Sequence, residues 1–372
     1  MAASGVPRDG PPVERLSSVF RVRDVRTDGE TILYVGRPAA PADALERELW
    51  PLFREYGYDV SLRAHYDDAD HAIGPGTYAL VAEPASLGLD GVPWLNIALA
   101  LATVCSTLLV GATMWYGIDV AADPLAALRA WPFTAAVLGV LGTHELGHYV
   151  MSRYHRVDAT LPYFIPVPTI FGTMGAIIKM KGRIPDRRAL FDIGVAGPLA
   201  GLAATVVVTA VGLQLPPVRV PFVMRFNDPL LLRGIAAVAG GKLTYADPHV
   251  IFNPVVFGGW LGMFITFLNL LPVGQLDGGH IVRAMLGSRT ETLSAAVPAA
   301  LFGLGGYLYL VTSGEAVFIW FLWGVLSLGL AYAGPTTPID DAPLDRKRVL
   351  LGLATFALGL ACFTPIPIEI AA

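Results

Sequence analysis

After Pro93 the chain carries seven apolar runs, near residues 94–116, 132–152, 191–213, 251–272, 294–312, 316–333 and 349–368. Each is about long enough to cross a hydrocarbon core of roughly 30 Å. That feature constrains the fold most, because a backbone in lipid must satisfy its own amides as helices or a closed barrel. The rest of the composition agrees: only 15% of the 372 residues are charged and 54% are hydrophobic, against about 25% charged in an ordinary soluble domain. Forty glycines and 29 prolines exclude a simple bundle of unbroken helices. The expectation is a polytopic α-helical membrane protein, multi-pass in the cell membrane and in contact with the lipid bilayer, with six or seven transmembrane helices. The last run is crowded by Pro365 and Pro367, and the 294–333 pair can be divided differently.

The first quarter is of another kind. Residues 1–92 carry 9 Lys+Arg against 15 Asp+Glu, whereas residues 93–372 carry 17 against 15. Extended patterns at Phe20–Val25 and Ile32–Val35, a helical pattern from Ala42 to Tyr56, and extended patterns at Tyr58–Leu62 and Tyr78–Val81 predict a small α+β soluble domain over 1–92. The transmembrane domain is then 93–372. The first twenty residues lack an apolar core, so no secretory leader is expected. If the N-terminal domain is cytosolic, the inner loops hold 12 Lys+Arg and the outer loops 5, as the positive-inside rule requires. The net charge of −4 offers no basic groove, so nucleic acid is not an expected partner. Cys105 and Cys362 both lie in apolar runs and make neither a disulfide framework nor a thiolate metal site.

Ionisable groups inside apolar runs mark function, since each costs a few kcal/mol at mid-membrane. The second run contains Thr143-His144-Glu145-Leu146-Gly147-His148 and nothing else that ionises. Imidazoles at i and i+4 project from one helical face about 6 Å apart, so both can reach one metal ion at about 2.1 Å. Glu145 flanks such an ion without binding it, where a base must stand to take a proton from water. With 7 His and 10 Glu in the chain, composition alone yields about 0.004 copies of the pattern His-Glu-x-x-His. A satisfied polar pair on a helix surface is the ordinary reading of two such histidines, but here it would have to account for three polar groups without water.

A catalytic metal site needs three protein ligands and one open position. The acidic residues available are Asp192, Asp277, Glu291 and Glu315. Glu291 and Glu315 flank spans on the loop side as solvated charges, and Asp192 reads as a helix N-cap. Asp277 follows Asn269-Leu270-Leu271-Pro272-Val273-Gly274-Gln275-Leu276 and precedes Gly278-Gly279. A helix that stops near Pro272, with glycines beyond, can turn a carboxylate back into the interior. The topology also puts Asp277 and both histidines at similar depth, toward the cytosolic face.

The pairing of that histidine motif with Asn269-x-x-Pro272-x-x-x-x-Asp277-Gly278 resembles the site-2 protease family of intramembrane zinc metalloproteases. The glycine-rich stretch Phe191–Gly201 is similar to the span that the family places between the two motifs. The resemblance covers roughly 130–285, and the N-terminal extension is similar to that of archaeal, cyanobacterial and plastid members. It implies one zinc ion per chain held by His144, His148 and Asp277, with Glu145 as catalytic acid and base. Asn269 then has a supporting polar role at the oxyanion, its ordinary reading being a buried amide that binds loop carbonyls. The implied activity is hydrolysis of peptide bonds within or near the membrane-spanning segments of other proteins. The stretch between Pro272 and Asp277 lacks the second proline that many bacterial members carry.

A protease in lipid must unwind a helical substrate, whose carbonyls are hidden in i to i−4 hydrogen bonds. Pro162, Pro166 and Pro168 exclude a regular helix, and Gly172–Met180 reads as a re-entrant, apolar extended strand. Gly175, Ala176, Ile177 and Ile178 are therefore the candidate substrate-binding residues, by addition of a substrate strand to this edge. The alternative for this segment is a hairpin that plugs the cavity. Gly197 and Gly201 form a small-xxx-small pair, read as packing rather than dimerisation, and His155, His249 and His280 read as loop histidines.

Two other classes compete. A prenyl-protein type of zinc membrane protease would need a glutamate as third ligand, and no well-placed one follows in an apolar span. A non-catalytic zinc-binding membrane transporter or scaffold would share the ligands but has no use for Glu145, and similarly interrupted inverted repeats are not evident. The acidic N-terminal domain is a candidate for controlling access from the cytosolic side or for binding a cytosolic partner.

Overall fold

The computed structural model describes residues 10–64, 78–85, 91–181, 183–220, 224–312 and 317–370. The chain divides into two compact units, Met1–Gly88 and Leu89–Ala372.

In the first unit, a single helical turn α1 (Val13–Leu16) leads into β1 (Phe20–Asp28) and β2 (Thr31–Pro38), then α2 (Ala42–Glu55), β3 (Tyr58–Arg63) and β4 (Tyr78–Pro84). The strands form one antiparallel sheet in the order β1-β2-β4-β3. Alternation along β2 sends Ile32 and Tyr34 to the face covered by Leu45, Leu49 and Phe53 of α2, where all five are buried. Tyr34 meets Phe53 edge to face at 5.4 Å, and its hydroxyl donates to the Pro11 carbonyl at 2.9 Å. The tight turn between β1 and β2 uses Gly29 at φ +57°, a backbone region that favours glycine.

The second unit is helical. Its helices are α3 (Trp94–Val110, continued by a π-type turn, Gly111–Trp115), α4 (Trp131–Tyr154), α5 (Arg187–Gly212), α6 (Leu230–Ala239), α7 (Pro254–Asn269), α8 (Asp277–Leu286), α9 (Thr290–Val311), α10 (Phe318–Ala333) and α11 (Arg346–Ala361). Short paired strands decorate the connections: β5 (Tyr163–Phe164) with β6 (Ala176–Ile177), β7 (Val218–Arg219) with β9 (Val250–Ile251), and β8 (Met224–Phe226) with β10 (Ile368–Ile370).

Every one of the seven apolar runs contains a helix. Among the described residues, four continuous helical stretches are long and apolar enough to cross a membrane: Trp94–Trp115, Pro124–Tyr154, Arg187–Gly212 and Asp277–Val311. Helices α7, α10 and α11 have 16 residues each, so each is about 24 Å long. The structure therefore makes this a mostly helical membrane protein with a small N-terminal sheet, without reproducing six or seven full-length spans. Prolines and glycines account for the shortening. The sequence Leu271-Pro272 ends α7, and α11 stops at Ala361, before Pro365 and Pro367. Helix α6, within what reads as an outer loop, was not foreseen.

Helices α4, α5 and α7 pack together as the centre of this unit. Nearly all of α7 is buried, which is why it is apolar on every side. Its glycines let it approach its neighbours: a Cβ on Gly262 would stand 2.3 Å from Thr205 Oγ1 of α5, and one on Gly258 would stand 2.7 Å from Ala136 Cβ of α4. Beyond this contact Phe226, Phe257 and Trp260 stack with Trp115 and Phe133.

Candidate metal centre

Helix α4 begins at Trp131-Pro132, with proline in the first turn where its missing N–H costs nothing. It carries His144, Glu145 and His148 into the contact with α5. Helix α7 is capped by Asn253, whose side chain accepts from Val255 N at 3.1 Å, and ends on Asn269. The chain then turns through Gly274 at φ +54° and restarts as α8, with Asp277 in the first turn. A carboxylate is favoured at a helix N-terminus.

This path brings Asp277 back onto α4. Asp277 Oδ2 lies 3.2 Å from His144 Nε2, Asp277 Oδ1 lies 3.2 Å from His148 Nε2, and the two Nε2 atoms are 3.2 Å apart. The carboxylate thus turns one oxygen toward each imidazole, and one ligand atom from each of the three residues lies within 4.8 Å of the others, close enough to share one small divalent ion. His148 Nδ1 donates to the Ile193 carbonyl of α5 at 2.8 Å, which leaves the Nε2 lone pair facing the centre. Among the described residues this is the one cluster of three or more such groups able to hold a metal ion.

Two further groups stand at the triangle. Asn269 has its side-chain nitrogen 3.3 Å from His144 Nε2. Glu145 is buried, with the main-chain N–H of Ile178 near its carboxylate. A cavity of about 650 Å3 opens onto His144, Glu145, His148, Asn269 and Asp277, and its wall includes Ala176, Ile177 and Ile178. The re-entrant segment is less extended than its sequence suggests. Gly172 and Gly175 take φ +76° and +107°, which breaks the run. Only Ala176–Ile177 remains as strand, already paired on one side with Tyr163–Phe164, so the segment is a hairpin with one free edge.

Several side chains stand elsewhere than their ordinary sequence readings put them. Asp192 does not cap a helix: α5 starts at Arg187, and its N-cap is Asp186, accepting from Ala189 N at 2.7 Å. Asp192 instead bonds His155 Nε2 at 3.0 Å and the Arg348 guanidinium at 2.8 Å, tying the end of α4 to α5 and α11. His280 is no loop residue. It is buried on α8 one turn after Asp277 and lies 3.1 Å from Thr336 Oγ1. The segment carrying Thr336 is pinned by Asp341, which pairs with Arg187 at 2.7 Å and Arg283 at 2.8 Å. Arg187 first, then Arg283, hold the Asp341 carboxyl down at about 2. Glu291 is exposed in the first turn of α9, and Glu315 lies outside the described residues.

The glycine pair was read only as helix packing, yet its role is specific. A Cβ on Gly197 would stand 2.0 Å from His148 Nε2, and one on Gly201 would stand 2.9 Å from His144 Nδ1. Both glycines are the floor on which the imidazoles lie. Their four-residue spacing, matched to that of the histidines, is the sequence signal that could have found this. Thr336 has no such signal.

The fold and the donor set define a helical membrane protein with a candidate metal site of two imidazoles and a carboxylate beside a buried glutamate. Residues 132–312 match the family described as peptidase family M50, and this stretch of the chain is a domain of that family, the site-2 protease type. The chain is 41% identical over 192 residues to the probable zinc metalloprotease EGY1, chloroplastic, of Arabidopsis thaliana, covering 49% of this chain and 35% of the relative. It is 32% identical over 234 residues to EGY2 of the same plant, covering 61% and 40%. Over 92% of its length it is 26% identical to the Arabidopsis probable zinc metallopeptidase EGY3, covering 62% of that protein. The chain thus spans about a third to two-fifths of the first two curated relatives.

Proposed function

We propose that this protein is an intramembrane zinc endopeptidase that hydrolyses peptide bonds within or next to the transmembrane segments of other membrane proteins. The observation that carries the reading is the triangle of donors 3.2 Å apart on His144, His148 and Asp277, with the Glu145 carboxylate buried alongside. One zinc ion held there would lower the pKa of a water to about 7 and polarise the scissile carbonyl.

The rest of the chemistry belongs to the chain. Glu145 takes the proton of the attacking water and returns it to the leaving amine. The Asn269 amide donates to the oxygen that gains charge as the carbonyl is attacked. Gly175, Ala176, Ile177 and Ile178 offer the free edge of the hairpin to an extended stretch of substrate. With Ile178→Pro, the donor that this residue offers along the edge is lost. Cleavage should fall about a hundredfold or more while metal content stays at one per chain; normal cleavage would remove the edge from the mechanism.

The test of the whole reading is metal analysis of the detergent-purified chain alongside cleavage of a panel of single-span proteins. The unmodified chain should hold one zinc and cleave. His144→Ala and Asp277→Asn should lose both. Stoichiometric zinc with no cleavage of any panel member would favour a transporter or scaffold instead. Deleting 1–92 in the same assay separates a regulatory N-terminal domain, acting by itself or through a cytosolic partner, from an essential one.

The proposed setting is the cell membrane, crossed six or seven times, with the N-terminal domain in the cytosol, supported by the excess of Lys+Arg in the loops on that side. In a Cys105→Ser, Cys362→Ser background, a cysteine introduced in the N-terminal domain should react with an impermeant maleimide only after the cytosolic face is opened. Labelling of intact cells would reverse the orientation.

A further inference from the structure

Two cavities meet at the proposed catalytic groups. The larger is walled by the three metal donors together with Lys179, Gln275, His280 and Thr336. The smaller, about 180 Å3, shares His144, Glu145, Ala176, Ile177 and Asn269 with it, and is otherwise closed mainly by Val140, Leu141, Ile265, Thr266, Leu268 and Trp323. Val140, Leu141 and Leu268 are buried. Trp323 comes from α10, an element outside the motifs that nominate the site. The reading of the site so far leaves this second chamber without a task.

Its size and lining state what fits. A cavity of about 150 Å3 walled by aliphatic and aromatic side chains stays dry and takes up a benzene ring. A chamber of 180 Å3 is therefore large enough for one leucine, methionine or phenylalanine side chain, with its aliphatic and aromatic wall on the side away from His144, Glu145 and Asn269. Its position states whose side chain. In an extended chain, successive side chains point to opposite faces. A substrate lying along Ala176–Ile178, with its scissile carbonyl between Glu145 and Asn269, directs one of the two side chains flanking the cleaved bond into the chamber.

We infer that this chamber is a specificity subsite that selects a large apolar side chain at one of the two positions flanking the cleaved bond, with Ile265 and Trp323 setting its depth. The inference rests on the protease reading above.

The test uses the full chain in detergent and a single-span substrate whose cleaved bond has been mapped by mass spectrometry of the products. Each residue flanking that bond is changed in turn to Gly, Ala, Leu, Phe and Trp. At one of the two positions, Leu or Phe should give kcat/KM roughly tenfold to a hundredfold above Gly, and Trp should be poor. Ile265→Trp should reverse the order in favour of Ala, and Trp323→Ala should shift it toward Trp. These two changes act in opposite directions, so loss of folding in one leaves the other decisive. Equal rates for all residues at both positions, or an order that neither variant alters, would overturn the subsite.

A second readout needs no turnover. In a Cys105→Ser, Glu145→Gln chain carrying Trp323→Cys, with diamide added as the oxidant, a substrate cysteine at the selective position should form a disulfide, and cysteines two residues away should not. Cross-linking without position dependence would overturn the subsite even if cleavage proceeds. Absence of any cleavage by the unmodified chain would instead overturn the protease reading, and the subsite with it.

Discussion

Glu145→Gln should leave one zinc per chain and reduce peptide-bond cleavage by about two to four orders of magnitude. The substitution keeps the volume of the buried side chain. It touches none of the three donor atoms. What it removes is the proposed proton acceptor and donor, and general acid–base catalysis of this kind contributes about 10²–10⁴ in rate. Metal analysis and cleavage rates on the same preparation check both halves. Parent-level cleavage would show that another group is the base, and loss of zinc would show that the carboxylate helps hold the ion.

An equally large effect is expected where no polar atom is changed. In Gly197→Ala the new Cβ would stand 2.0 Å from His148 Nε2, in the space of a proposed metal donor. The imidazole cannot simply swing aside, because its Nδ1 is bonded to Ile193 on the same helix as Gly197. Either the ring rotates or α5 withdraws from α4, and both break the triangle. Metal affinity should fall by about a hundredfold or more, the upper end for changes that disturb ligand orientation, and cleavage should fall with it. Gly201→Ala, with a 2.9 Å approach to His144 Nδ1, should be milder. Gly139→Ala, on α4 with nothing within 4 Å, is the control and should be neutral or slightly stabilising. Helical content and thermal unfolding distinguish a lost metal from a lost fold. Full zinc occupancy in Gly197→Ala would mean that the two helices are not as closely apposed as described.

Parts of this architecture were legible in the chain because they depend on local periodicity. The strands and helix of the N-terminal unit follow their alternation patterns closely, and helices occupy all seven apolar runs. His144, Glu145 and His148 were legible for the same reason: helical spacing alone puts them on adjoining faces of one turn-and-a-half of α4. Asp277 was a harder case. It was nominated from Pro272, Gly274 and Gly278-Gly279, residues whose backbone demands are local, even though the histidine it meets is 133 positions away.

The misread residues share the opposite property. His280, Asp192 and the Gly197/Gly201 pair took ordinary sequence readings because a side chain's partner across a helix contact leaves no mark in its own neighbourhood. His280 meets Thr336, 56 positions on, and Asp192 meets Arg348, 156 positions on. The strand Gly172–Met180 was overdrawn because alternation does not register the positive φ at Gly172 and Gly175.

Hydrophobic length and periodicity act over a turn or two of chain, so the order of residues alone was enough to mark the apolar helices and to nominate the residues proposed for the chemistry. Only the tertiary structure decided that three donors converge to 3.2 Å, that two glycines floor the imidazoles, and that Trp323 closes a chamber beside Glu145. Those outcomes depend on how closely α4, α5 and α7 approach, and close packing between distant segments is a property of their combined shapes.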